Sequence, residues 1–169
     1  MNRIYVWSLL LCCVLSINLS WSQEEDNIAH IWNEEVLEGI RNDFARPTVH
    51  ARNLLHTSIA MYDCWAAYDN GPSETFFLGK AWSGFEVPFE GVVIPDSPAA
   101  LAEARDEAIS YAAYRIMTHR FGETPDGEIT LFNINSRMAQ LGYDPSFVST
   151  DYVNDGAPAL GNYVAEQII

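Results

Sequence analysis

Along most of this chain the apolar residues recur at helical intervals. Between 28 and 44, Ile28, Ile31, Trp32, Leu37, Ile40 and Phe44 share one side, while Glu34, Glu35, Glu38 and Arg41 take the other, which predicts an amphipathic helix. Gly39 weakens it by about 1 kcal/mol relative to alanine. Arg46-Pro47 closes that helix or opens the next, because proline suits a first helical turn. From Thr48 to Asp69 no glycine or proline interrupts. Leu54, Leu55, Met61, Tyr62, Trp65 and Tyr68 supply a broad apolar face there, and Ala51, Ala60, Ala66 and Ala67 offer small surfaces for close helix approach. Asn70-Gly71-Pro72 ends this second helix.

Residues 71 to 96 break the pattern. Glycine and proline are frequent, and Phe76, Phe77, Trp82, Phe85 and Phe89 are interleaved with them. A long connection that packs its aromatics onto the helices is expected, with short strands near Glu74–Leu78 and Val92–Ile94 that have no evident partner. Ser97-Pro98 opens a third helix that runs to about Arg120, with Arg115, His119 and Arg120 in its last turns, where cations suit the dipole. Thr124-Pro125 opens a fourth, with Phe132 and Met138 facing inward and Gly142 as its stop. Pro158 opens a fifth that runs into Ile168-Ile169 with no cap, which reads as a chain cut short or packed against something further. The pattern is an all-α fold: a portion of a helical bundle with one long aromatic-rich loop, apparently truncated. No internal repeat is present.

The N-terminus reads differently. Arg3 precedes an apolar stretch from Ile4 to Ile17, and Ser20 and Ser22 place small residues before a polar run beginning at Gln23. Residues 1–22 are expected to be a secretory signal peptide, too short for a comfortable membrane span, and residues 23–169 one helical region. An uncleaved anchor is the alternative. Lipidation at Cys12 or Cys13 is disfavoured, because Leu or Cys precedes each where a small residue is wanted. Removing 22 of 169 residues leaves 147, and since Arg3 departs while no acid does, the net charge moves from −14 to −15. The product would be secreted or periplasmic, with no later apolar stretch long enough to span a bilayer. Only Cys64 of the three cysteines stays, so no internal disulfide can form. A chain of this length buries about two-thirds of its surface, so a packed core can support it.

This acidity excludes a nucleic-acid binder, which needs clustered Lys and Arg; Lys80 is the only lysine. The four histidines, His30, His50, His56 and His119, make no zinc spacing, although His56 with Asp63, and Arg46 with His50, could share helix faces. Cys64 beside Trp65 reads as a small core residue rather than a nucleophile. No nucleophile elbow, dinucleotide fingerprint or P-loop occurs, and the acids are too dispersed to single out a catalytic pair. The segment Arg46-Pro47-Thr48-Val49-His50-Ala51-Arg52-Asn53 is the exception. Arg46, His50, Arg52 and Asn53 at one helix start could hold an anion, or could cap the helix and anchor neighbouring acids, the reading preferred here.

The run IWNEEVLEGIRNDFARPTVHARNLLHTSIAMYDCWAAYD, residues 31 to 69, resembles the N-terminal region of secreted bacterial proteins of the vanadium-dependent haloperoxidase type, within the type 2 phosphatidic-acid phosphatase superfamily. ISYAAYRIMTHRF, SRMAQLGYDPSF and DGAPALGNYVAEQII resemble later pieces of the same region, in the same order. The resemblance implies an all-α bundle whose full-length enzyme holds vanadate, or phosphate in the phosphatase relatives. In such a site a Lys and two Arg neutralise the oxyanion, Ser and Gly donate to it, one His bonds vanadium and another serves as acid–base; peroxide then oxidises halide there.

The motifs that carry this chemistry in the family are a Lys followed by Arg-Pro, then Pro-Ser-Gly-His, then Ser-Arg with a Gly and a His. Arg46-Pro47 has no lysine upstream, no Ser-Gly-His occurs, and Ser136-Arg137 leads to Gly142 and Tyr143 without the histidine. No catalytic, cofactor-binding or metal residue is therefore assigned, and this region alone is expected to be inactive. The expectation is the N-terminal part of an exported haloperoxidase-like enzyme, with a C-terminal catalytic half as partner and a homo-oligomer as a further association. A secreted helical binding module without catalysis, or a related acid-phosphatase-type enzyme, is the alternative. Burial of Leu160, Tyr163, Val164, Ile168 and Ile169 would speak for the module, and their exposure for the enzyme.

Overall fold

A computed structural model describes residues 27–169, and it is all-α. The expected signal peptide, with Cys12 and Cys13, lies outside these residues. Five helices follow in order: α1 (Ile28–Arg41), α2 (Pro47–Ala67), α3 (Pro98–Phe121), α4 (Gly127–Leu141) and α5 (Tyr152–Ile168). A two-stranded hairpin, β1 (Ala81–Trp82) and β2 (Phe85–Glu86), sits between α2 and α3.

The helix starts follow local rules. The Asn27 side chain accepts from the Ala29 amide at 2.9 Å, and Ser97 accepts from Ala100 at 3.1 Å with Pro98 in the first turn. At the other end of α4, Gly142 takes the left-handed conformation.

α3 is the hub, and every other helix packs against it. From Ala108 to Met117 it is buried almost continuously, so it has no polar face along its middle. Trp32 and Val36 of α1, Cys64 of α2, Ile134 and Met138 of α4, and Leu160 and Val164 of α5 close the core around it. The Trp32 indole donates to Ser110 Oγ at 2.9 Å, so its one polar atom is satisfied in that core. α5 comes close to α3 at Gly161, where a Cβ would lie 2.7 Å from the Tyr111 Cβ.

Several inward expectations are corrected. α1 ends at Arg41, leaving Phe44 67% exposed, and Phe132 is 71% exposed because the buried side of α4 runs through Thr130, Ile134 and Met138. In the long loop the aliphatic Leu78 and Val87 are the fully buried plugs, while Phe76, Trp82 and Phe85 remain exposed and stack in pairs, Phe76 on Trp82 and Phe77 on Phe85. The strands fall neither at 74–78 nor at 92–94. Ser83 and Gly84 both have positive φ and form a two-residue turn, which pairs Trp82 with Phe85 instead. α5 begins with one turn at Tyr152, before Pro158. The chain then bends at Gly156 (φ 73°, ψ −147°), a conformation that only glycine adopts readily, and the continuous helix follows.

Candidate functional site

The Arg46–Asn53 segment does not converge on a common point. Arg46 pairs with Asp43, three residues before it. His50 is buried and its Nε2 meets the Phe44 carbonyl at 2.7 Å, while its Nδ1 has no hydrogen-bond partner. Asn53 is buried against the core side of α2, and its Oδ1 meets Arg52 Nη2 at 3.4 Å. These groups hold the turn before α2 and the start of that helix.

His56 and Asp63 also part company. Asp63 is fully buried, and its carboxylate accepts the backbone amides of Phe76, Phe77 (2.8 Å) and Leu78 (3.0 Å), pinning the start of the long loop to α2. The pattern of α2 gave no hint of this role. Next to it, Cys64 is a free, buried thiol, and burial, then the Asp63 charge, push its pKa well above the ordinary value. It stays protonated, as a core residue does.

His56 faces α3 and the last turn of α5. Arg120 Nη2 lies 3.4 Å from His56 Nδ1 and also reaches the Ile168 carbonyl at 3.5 Å. Arg52 sits one turn before His56 on the same helix. Burial, then Arg120 and Arg52, hold His56 below its usual value, and burial, then Arg52, lower Arg120. Among the described residues no Asp or Glu side chain pairs with Arg52 or Arg120; Arg120 Nη2 reaches the Ile169 main-chain oxygen at 3.3 Å, and Arg120 Nε is buried without a partner. Beside this group lies a cleft of about 270 Å³, lined by His56, Ile59, Phe76, Trp82, Gln167 and Ile168, among others.

Among the described residues, Lys80, Arg105, Arg115 and Arg137 are engaged. Lys80 pairs with Glu74 at 2.9 Å, which holds that carboxyl below its ordinary range. Arg105 reaches the Tyr68 carbonyl and lies over Trp65, and Arg137 pairs with Glu35 at 2.8 Å. Arg115 was expected to serve the dipole of its own helix. It instead binds Asn162 and the carbonyls of Pro145 and Phe147, tying the loop before α5 to α3. A vanadate cradle needs a lysine, two arginines, a histidine and small-residue donors around one anion. Lys80 is engaged with Glu74, and of Arg52, His56 and Arg120 only His56 lines the neighbouring apolar cleft, so the described residues do not fit that cofactor. Among them, no three His, Cys, Asp or Glu side chains gather as metal ligands would, and no helix is long and apolar enough to cross a membrane.

Of the apolar residues near the end of α5, Leu160 and Val164 are fully buried, Tyr163 and Ile168 are half-buried, and Ile169 is 45% exposed. The second face of α2 stays open: Leu55, Tyr62 and Trp65 are exposed on the side away from Ala60, Met61 and Cys64. Compared with families of known proteins, with curated proteins and with solved structures, the chain gives no match.

Proposed function

We propose that residues 23–169 are the N-terminal helical region of an exported vanadium-dependent haloperoxidase-like enzyme, whose vanadate site is supplied by residues outside this region. Four stretches in family order support this reading, as does the all-α architecture. The observation that carries it is the second apolar face of α2. A helix with apolar groups on both sides is at home inside a larger bundle, and Leu55, Tyr62 and Trp65 would then pack against further helices.

The test is to express the whole reading frame of the encoding gene and assay the product for vanadate-dependent bromide oxidation by peroxide. Activity that needs vanadate and is absent from residues 23–169 alone is expected. A product that hydrolyses phosphate esters and leaves halide untouched would shift the reading to the phosphatase branch.

A second reading, a secreted helical binding module, is favoured by one observation. Leu160 and Val164 are fully buried within the region itself. If residues 23–169 fold cooperatively and stay monomeric while the whole gene product oxidises no halide, the module reading takes precedence.

A further inference from the structure

We infer that the cleft between the end of the long loop, Tyr68 and the first turn of α5 binds a small primary ammonium ion with an apolar body, its nitrogen held by Tyr68 and Glu90. The cleft encloses about 400 Å³ and is lined by described residues. It makes no use of the open face of α2, so it goes beyond the enzyme reading and does not depend on it.

Tyr68 is the first ground. The residue is only 4% exposed and its hydroxyl has no hydrogen-bond partner among the described residues, yet it lines this cleft. A phenol shut away from water ordinarily finds a partner. Burial, then Cys64 and Glu107, push its pKa up to about 12, so the hydroxyl keeps its proton and its oxygen remains a neutral acceptor. Charge is the second ground. Glu90 lines the same cleft, and its carboxylate has no ion pair among the described residues. No Lys, Arg or His is among the lining residues, and the chain carries a net charge of −14. An anion would be repelled there. A primary ammonium brings three donors and a charge opposite to that of Glu90.

The frame is the third ground. Tyr152 accepts the Glu90 amide at 3.1 Å and packs on Phe89 and Tyr163, with ring centroids 5.6 and 4.9 Å apart, and Tyr163 donates to the Pro88 carbonyl. The loop wall and the α5 wall are thereby fastened to each other, which limits the entropy lost on binding. Val92, Val93 and Val153 give the cleft an apolar side. At Gly91 (φ 86°) and Gly156 (φ 73°), which also line it, a Cβ would meet no atom within 4 Å, so the space beside them is open. A volume of about 400 Å³ is ordinary for a small-ligand site. A space of about 150 Å³ already takes benzene, which leaves room for a ring with a short amine arm.

The experiment titrates the whole gene product, and separately residues 23–169, with 2-phenylethylammonium at about pH 7, where an alkylamine is protonated. It follows heat and the amide resonances of Gly91 and Gly156. Saturable one-to-one binding is expected, with a Kd of about 1 mM or tighter, and both glycine resonances should shift along the same curve. Tyr68→Phe removes only the hydroxyl and should weaken binding about tenfold. Glu90→Gln, at an exposed position with little risk to folding, should weaken it about threefold, the size of an exposed ion pair. 2-Phenylethanol, which keeps the ring and loses the charge, should bind at least about tenfold more weakly. No saturation by a folded protein at about 10 mM, or unchanged affinity in both Tyr68→Phe and Glu90→Gln, overturns the assignment. Binding of 2-phenylethanol or 3-phenylpropionate as tight as that of the ammonium also overturns it, because the site would then read the ring alone.

Discussion

Arg115 on α3 and Asn162 on α5 are joined by a 2.8 Å hydrogen bond from the guanidinium Nε to the amide oxygen. The Asn162 amide nitrogen donates onward to the carbonyls of Phe147 and Ser149 at 3.0 Å, and Arg115 reaches Phe147 as well. Two side chains thus satisfy a loop that has no regular structure of its own.

Because these bonds share partners, their removal should not be additive. Asn162→Ala is expected to lose about 1–3 kcal/mol, and its combination with Arg115→Met should depart from the sum of the single losses by at least about 0.5 kcal/mol. Urea unfolding of the four proteins measures this, and strict additivity would show that the network is only a drawing of proximity.

Gly161 should tolerate no side chain. Its missing Cβ would press into Tyr111 Cβ at 2.7 Å and toward the backbone of Ala112 at 2.9 Å, none of it the far end of a flexible chain. Gly161→Ala is expected to destabilise by about 1–3 kcal/mol, despite the better helix propensity of alanine. A variant as stable as the parent in thermal unfolding would mean that α5 and α3 can separate without loss.

Glu107 lies among Tyr68, Tyr111 and Tyr143, whose own values its charge helps to raise. Burial, then the Glu103 charge, raise its pKa above 4.5. A raised carboxyl favours the fold below 4.5, and that contribution is lost as pH climbs through the folded value. Glu107→Gln should therefore melt at a higher temperature than the parent at pH 7, and the gap should close below about pH 4.5. A gap of the same size at both pH values would trace the effect to something other than ionisation.

For His56 the sign is the reverse. Its folded value lies below 6.5, so the unfolded chain takes up the proton first and stability declines as pH falls from 6.5 toward the folded value. His56→Gln should flatten that part of the stability profile, and thermal scans at closely spaced pH values would reveal an unchanged slope if the histidine were uninvolved.

Cys64 should resist thiol reagents in the native protein and react within the dead time of mixing once urea has unfolded it, because the buried, protonated thiol has neither access nor nucleophilicity. Stoichiometric labelling of folded protein would contradict its place in the core.

The sequence made the helices legible because amphipathic spacing, the Pro47 and Pro98 starts and the Gly142 stop are local signals. Facing was legible only where one side of a helix is polar. α2 carries apolar residues all round, so its pattern could not say that Met61 turns in and Leu55 out. Phe132 misled for the opposite reason, as one large apolar group on the exposed side of α4. The Ser83–Gly84 turn was present as a dipeptide signal, hidden by the density of glycine and proline around it. As for the candidate site, Arg46 and His50 were readable as helix-start groups from their spacing. The meeting of His56 with Arg120, 64 residues apart, has no trace in one dimension, and neither has the choice of Asp63 as the anchor of a loop.

That anchor divides the loop in time. Other amides of the loop, such as those of Gly79, Lys80 and Val87, bond within the loop itself, whereas those of Phe76, Phe77 and Leu78 are held by a carboxylate that is itself shut inside the core. Deuterium can reach these three only when α2 and the loop separate. In an exchange experiment they should exchange more slowly than the loop amides bonded only within the loop, reporting on the breathing of the core from a stretch of chain that belongs to no helix.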